Sequence, residues 1–319
     1  LTHRKFDTTR GDKAVLQVVR RGLVDHLSDL VNAPGIWHAI MRSPSLMMLL
    51  AVLALVPAGC RVLGPLSPLR PVEQVFVYPQ SVSPFTSREI GAGQQIWIET
   101  DSRRRLEARY FPHPSPQAVV LYCHGNLGTV DKWSLLAERL SRMHRVSILV
   151  FDYPGYGRSS GVSNEQKILQ DAEAARTWLA RENGIRNCDV VLMGRSLGGA
   201  VAVDLAVNGG ARGLILESTF SSLPDVAESH AAWLLPEWNM TQRMNSIEKI
   251  RRYPGPLLQS HGDADRLIPI ALGRELFDAA PGNKRFIVAS GASHNDDHIR
   301  VCSEEREHFF RTLPPIGSM

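Results

Sequence analysis

The chain has 319 residues, 44% of them apolar and 21% charged, with 36 Lys and Arg against 32 Asp and Glu. This composition belongs to a globular protein and excludes a disordered or collagen-like chain. Residues 1–59 hold +3 of the +4 net charge, which leaves 29 basic against 28 acidic residues beyond them and excludes an electrostatic footprint for nucleic acid.

Length alone is compatible with one or two domains, and no repeat of 20 to 50 residues points to a solenoid or propeller. The longest apolar run, Leu46 to Val56, has eleven residues without a charge. It is too short to span a bilayer as a helix, which takes about 20 residues, but it suits the hydrophobic region of a signal peptide. Met41-Arg42-Ser43 precedes it as a start with one positive charge, and Pro57-Ala58-Gly59-Cys60 follows. Small residues before a cysteine resemble a bacterial lipobox, with Cys60 as the lipid-bearing residue; Pro57 departs from the Leu usual there. Residues 1–40 then read as a poorly structured leader or over-extended start, 41–60 as signal or membrane anchor, and 61–71, with Pro65, Pro68 and Pro71, as a tether. An uncleaved anchor extended through Trp37 to Ile40 and a helix packed on the body are the alternatives. The expected location is the bacterial cell envelope, with the membrane as partner through the anchor or lipid.

In the body, 72–313, Val72 to Tyr78 reads as a first strand, and Gln95 to Thr100 and Leu106 to Phe111 bracket a hairpin turn at Asp101-Ser102-Arg103-Arg104. Short apolar runs follow at Ala118 to Cys123, Val146 to Phe151, Val190 to Met193, Leu214 to Leu216, Pro256 to Leu258 and Phe286 to Ala289. Amphipathic helices are predicted at Thr129 to Met143, Glu165 to Arg181 and His298 to Leu313, the second with Ile168, Leu169, Ala172, Ala175, Trp178 and Leu179 on one face. Unbroken apolar strands alternating with helices predict an α/β fold, a mostly parallel twisted sheet covered on both faces. Phe220 to Tyr253 is longer than a usual connection and carries Trp233 and Trp238, as a lid over a site would.

The strand Val190 to Met193 runs into Gly194-Arg195-Ser196-Leu197-Gly198-Gly199 and then a helix, Ala200 to Val207. This is the nucleophile elbow G-x-S-x-G in its proper context. The strained turn leaves no room for a Cβ two residues before or after the serine, and Gly194 and Gly198 meet that demand. Ser196 needs a base, and His294 in Gly291-Ala292-Ser293-His294-Asn295-Asp296 follows the last strand. The orienting acid belongs after the preceding strand, where Ser260-His261-Gly262-Asp263-Ala264-Asp265 offers Asp263 and Asp265; spacing does not separate them. The oxyanion donors are the N–H of Leu197 and that of Asn126 in Cys123-His124-Gly125-Asn126-Leu127-Gly128.

Together with Phe151-Asp152-Tyr153-Pro154-Gly155-Tyr156-Gly157-Arg158-Ser159, these blocks resemble the α/β-hydrolase superfamily, in its serine aminopeptidase-like branch, the group that includes the α/β-hydrolase-domain depalmitoylases. The resemblance implies Asp265 as the acid and Asp263 as a loop-shaping acceptor. It implies that Asp152 braces the turn after it, with His124 a loop-ordering residue. His298 is expected exposed on the last helix, and Cys123 is read as a small buried strand residue.

The expected function is a serine hydrolase cleaving an ester or thioester of a small-molecule or acylated substrate, with no metal or organic cofactor required; four cysteines without C-x-x-C spacing suggest no metal site. An aminopeptidase or amidase using the same triad is the runner-up, with Glu217, Glu228 or Glu237 as acids for a substrate amino group. A catalytically silent, membrane-tethered interaction protein and a cofactor-free perhydrolase are the remaining readings.

Overall fold

The computed structural model describes residues 93–232, 240–296, 298 and 301–318, together with Glu73, Glu237 and residues 76–79. The chain divides into two compact units, 1–79 and 80–319, and every element labelled below belongs to the second. Leu46 to Val56, Cys60, the tether, Trp233 and Trp238 lie outside the described residues. In the first unit, the described positions Glu73, Phe76 and Val77 are helical, which corrects the strand expected over Val72 to Tyr78. Among the described residues no helix is long and apolar enough to cross a membrane.

The sheet opens with a hairpin, β1 (Gln94–Glu99) and β2 (Arg105–Phe111). It continues through β3 (Ala118–Cys123), α1 (Val130–His144), β4 (Val146–Phe151), α2 (Glu165–Glu182), β5 (Val191–Arg195) and α3 (Leu197–Gly209). Then come β6 (Gly213–Glu217), α4 (Leu223–Ala231), α5 (Ser246–Ile250), β7 (Leu257–Gly262), α6 (Ile270–Ala279), β8 (Lys284–Ala289) and α7 (Ser303–Thr312). Eight strands form one sheet in the order β1-β2-β4-β3-β5-β6-β7-β8. Pairing is antiparallel for β1–β2 and β2–β4 and parallel from β4 through β8.

Burial explains the mostly parallel sheet. β3 and β4 are buried along their whole length, as strands covered on both faces must be. On one face Val120, Tyr122, Ile148, Val150, Val191 and Met193 form a core with Val130, Ala137 and Leu140 of α1, Phe309 and Phe310 of α7, and Leu313 just after it. The alternate residues Leu121, Leu149, Leu192 and Leu214 are also buried and face the other way. Helices α2 and α3 pack together there, tied by Arg176, whose Nη1 donates to the carbonyls of Leu205 and Gly210 at 3.0 Å each. The order in which successive strands are added reverses between β3 and β5, which are parallel neighbours, and in open α/β sheets such a switch point, at the carboxyl ends of the strands, is where a ligand crevice opens.

The last helix begins at Ser303, not at His298. His298 precedes it and is buried, with its ring Nδ1 3.1 Å from Ser260 Oγ, which corrects the exposed position expected for it.

Candidate active site

Strand β5 ends at Arg195 and α3 begins at Leu197, so Ser196 alone makes the corner, at φ 53° and ψ −122°. This is a conformation that L residues rarely adopt, and it persists only where surrounding structure enforces it. Two glycines show how. A Cβ on Gly194 would stand 2.2 Å from the Gly198 carbonyl oxygen, and one on Gly198 would stand 1.9 Å from that of Cys123. Strand, elbow and helix therefore touch backbone to backbone. Ser196 N–H donates to the Glu217 carbonyl on β6 (2.9 Å), and Thr219 Oγ1 donates to the Ser196 carbonyl (2.9 Å).

The base loop follows β8. His294 Nε2 lies 3.1 Å from Ser196 Oγ, and His294 Nδ1 lies 2.8 Å from Asp265 Oδ2. Because a carboxylate only accepts, Nδ1–H donates to Asp265 and Nε2 is left to accept the serine proton. The three residues are 7%, 9% and 7% exposed for Ser196, His294 and Asp265, enough for a small electrophile to reach and dry enough to strengthen the hydrogen bonds.

Asp265 Oδ1 also accepts the N–H groups of Leu267 (2.9 Å) and Ile268 (2.8 Å), and His261 Nε2 stands 3.4 Å from its Oδ2. Burial by itself would raise this carboxyl, but the bonds from His261, His294 and the Ile268 amide outweigh it and hold it well below the ordinary aspartate range. It stays ionised. Asp263 is exposed and serves its own loop instead, accepting Gly291 N–H at 2.6 Å and Ser290 Oγ–H at 3.3 Å. The choice that spacing left open is thus made by geometry: Asp265 reaches the imidazole, and Asp263 is occupied with the turn after β8.

The loop after β3 lies against the elbow, since a Cβ on Gly125 would come 3.6 Å from Ser196 Cβ. Its carbonyls are each engaged: His124 O by Tyr153 Oη–H (2.7 Å), Gly125 O by His124 Nδ1–H (2.6 Å) and Asn126 O by Tyr156 Oη–H (3.1 Å). A trans peptide aims the Asn126 N–H opposite to the Gly125 carbonyl, away from the His124 ring. Leu197 is the first residue of α3, so its N–H is one of those a helix leaves without an intrahelical acceptor. Asp152 is buried, accepts Val130 N–H at 2.8 Å, lies 3.5 Å from His124 Nε2 and occupies the space that a Gly157 Cβ would take. It packs against the turn after it at Gly157, as the resemblance implied, and also joins that turn to His124 and the start of α1. Cys123 is buried at the end of β3, and burial pushes its thiol far above its ordinary value.

Sequence reasoning missed the roles of Tyr153 and Tyr156 as clamps and of Arg195. Arg195 is buried, and its Nη2 donates to the carbonyls of His294 (2.6 Å) and Asp296 (2.8 Å). Glu217 is buried beside it and ion-paired with Arg306, with Arg195 Nη1 at 3.9 Å. Burial opposes its ionisation, but Arg306, then Arg195 and His298, pull its carboxyl below the usual range. The motif leaves the residue before the serine unspecified, and nothing in it marks a role for Arg195. Among the described residues no group of three or more His, Cys, Asp and Glu is arranged to hold a metal ion.

Residues 114–247 match the family model described as serine aminopeptidase S33. An uncharacterized protein of Mycobacterium tuberculosis is 36% identical over 241 residues, 73% of this chain and 85% of that protein. Human alpha/beta hydrolase domain-containing protein 17B is 31% identical over 219 residues, 66% of this chain and 73% of its own. Among solved structures, the Pyrococcus furiosus esterase Pf2001 is similar with a TM-score of 0.57 at 18% identity, over 73% of this chain and 95% of that one. Est1E of Butyrivibrio proteoclasticus, solved with ferulic acid, has a TM-score of 0.57 at 18% identity, over 68% and 98%. At these identities the solved structures speak for the fold alone.

Proposed function

The chain belongs to the α/β-hydrolase superfamily, and from that membership and the geometry above we propose that it is a serine hydrolase cleaving esters or thioesters through an acyl-enzyme. The observation that carries this reading is the continuous chain from Ser196 Oγ through the His294 ring to Asp265, at 3.1 and 2.8 Å, on a strained elbow.

In this mechanism His294 Nε2 takes the Ser196 proton as Oγ attacks the substrate carbonyl carbon. Asp265, ionised and unable to give up its hydrogen bonds cheaply, keeps the imidazole in the Nδ1–H tautomer and stabilises the imidazolium that forms. The N–H groups of Leu197 and Asn126 are the donors for the oxyanion, the first helped by the positive end of α3. When the tetrahedral species collapses, His294 returns the proton to the leaving alcohol or thiol. Water then attacks the acyl-serine with His294 again as base, and the acid product and free Ser196 result.

Ester or thioester is favoured over amino-terminal peptide cleavage by the acids available for a substrate ammonium. Glu217 is buried against Arg306 and Arg195, and Glu237 is ion-paired with Arg243, which leaves exposed Glu228 on α4 as the one acid of the three for an aminopeptidase to use. Residues 41–60 are proposed to attach the enzyme to a membrane, a reading supported by the apolar run and Cys60; mass spectrometry of the membrane fraction tests it, and an unlipidated Cys60 within a longer chain would overturn the lipoprotein form.

The test is hydrolysis of p-nitrophenyl esters of graded acyl length beside aminoacyl p-nitroanilides, with Ser196→Ala, Asp265→Asn and Asp263→Asn variants. Ser196→Ala is expected to abolish turnover, Asp265→Asn to lower kcat on the order of 10³–10⁴-fold, and Asp263→Asn to change it far less. Preferential anilide cleavage would move the assignment to the aminopeptidase. A parent inert to every substrate and unlabelled by a fluorophosphonate would favour a silent interaction protein.

A further inference from the structure

We propose that Arg195, the residue before the candidate nucleophile, is a positioning residue that sets the distance between Ser196 and His294. The inference rests on the serine-hydrolase reading above and deepens it.

The base loop is held at both ends, and by different parts of the molecule. Its first half is tied to the acid loop: Asp263 Oδ1 accepts Gly291 N–H at 2.6 Å, and Ala264 N–H donates to the Ala292 carbonyl at 3.1 Å. Gly262 allows this approach, since a Cβ there would lie 2.1 Å from the Ala292 carbonyl oxygen. The second half, which carries the imidazole, is held instead from the elbow. Arg195 Nη2 donates to the His294 carbonyl at 2.6 Å and to that of Asp296 at 2.8 Å. Within the loop, Ser293 N–H donates to Asp296 Oδ2 (2.7 Å) and Asp296 N–H to the Ser293 carbonyl (3.2 Å), so Arg195 grips a closed turn and not a loose strand.

Arg195 is covalently joined to Ser196. A guanidinium that grips the backbone of His294 therefore makes nucleophile and base members of one rigid unit, without passing through the acid loop. Asp265 orients the imidazole ring; Arg195 fixes the main chain from which the ring hangs. A planar guanidinium suits the task because it offers several donors in a fixed plane and does not lose its charge.

The fork is itself held in place. Glu217 stands 3.9 Å from Arg195 Nη1, is ion-paired with Arg306 of α7, and gives its own carbonyl to Ser196 N–H at 2.9 Å. The Trp133 ring lies on another side, 6.0 Å from the Arg195 guanidinium carbon. One acid thus supports both the elbow backbone and the side chain that reaches across it. The guanidinium thus sits among the His294 and Asp296 carbonyls, the Glu217 carboxylate and the Trp133 ring.

The experiment compares Arg195→Met, which keeps the stem and loses the fork, with Arg195→Lys, which can serve one carbonyl at a time. The folded fraction of each full-length protein is isolated by gel filtration. The readouts are the second-order rate of fluorophosphonate labelling of Ser196, which needs no knowledge of the natural substrate, and kcat and KM for a p-nitrophenyl ester. A misplacement of about 1 Å costs on the order of 10²-fold, so Arg195→Met is expected to lower labelling and kcat by about that factor with KM within about two-fold. Arg195→Lys is expected to fall between Arg195→Met and the parent.

A folded Arg195→Met or Arg195→Lys labelled at the parent rate would overturn the proposal, whatever its melting temperature, because a merely structural role moves stability and not the reactivity of the folded enzyme. Failure of both variants to fold would show a structural role and overturn it likewise. A parent that is not labelled at Ser196 would remove the serine-hydrolase reading itself. That result is distinct from a parent that is labelled and variants that match it.

Discussion

At the scale of single residues, the site is a set of hydrogen bonds whose direction is dictated by what each group is able to donate. Asp265 only accepts, and its surroundings of two amides and two imidazoles keep it charged. This has a consequence for stability. In the unfolded chain an aspartate titrates at about 3.9, while in the folded protein Asp265 titrates well below its ordinary value. Between those two values the unfolded state binds a proton that the native state refuses, so the stabilisation is full above about pH 4 and is lost as pH falls through the depressed native value. Denaturant midpoints measured from pH 6 down to pH 2.5 are expected to drop below about pH 4, and less steeply in Asp265→Asn. An acid slope unchanged by that substitution would mean the carboxyl is not held down in the native state.

At the scale of elements, the elbow and the loop after β8 depend on glycine for two separable reasons. Gly198 lacks room: a Cβ there meets the Cys123 carbonyl oxygen at 1.9 Å and its carbon at 2.4 Å, both backbone of β3 and unable to yield. Gly291 has room but an unusual backbone, φ +72° with nothing within 4 Å of an added Cβ. Gly198→Ala is expected to cost about 3 kcal/mol or more, and Gly291→Ala about 1 kcal/mol. Thermal denaturation of the two variants checks the ordering; equal losses would show that conformational strain, not space, governs both. The elements before the elbow were legible because β3 to β5 are buried on both faces and read as unbroken apolar runs. The burial of His298 was not, because it depends on contact with Ser260 of β7, 38 residues away in the chain.

At the scale of the whole hydrolase unit, the insertion between β6 and β7 is stitched to the start of α2 by two side chains, those of Glu165 and Gln242. Glu165 Oε2 accepts the N–H groups of Arg243 (2.7 Å) and Met244 (3.0 Å), and Glu165 N–H donates to Gln242 Oε1 at 2.7 Å. At the insertion's other arm, the His230 ring Nε2 bonds the Leu267 carbonyl at 2.8 Å, two residues beyond Asp265. Glu165→Ala is expected to speed proteolytic cleavage within residues 223–245 and to lower global stability by about 1–3 kcal/mol. Limited proteolysis with mass mapping reads the first effect and chemical denaturation the second; a parent-like cleavage pattern would show that the insertion is held elsewhere.

Sequence by itself determined the alternation of strands and helices, the strained serine corner and the histidine after the last strand. These depend on local demands: burial on two faces, absence of a Cβ, and order along the chain. It also narrowed the acid to two aspartates two residues apart, both at the carboxyl end of the same strand. Only the tertiary structure shows that Asp265 faces an imidazole 29 residues away while Asp263 is occupied by the Gly291 amide, because both contacts are made across loops distant in the chain. The same holds for Arg195 and Glu217. An arginine in a motif's blank position and an acid at a strand end carry no local signature, and their joint hold on the base loop exists only once the elbow, β6 and the loop after β8 are folded side by side.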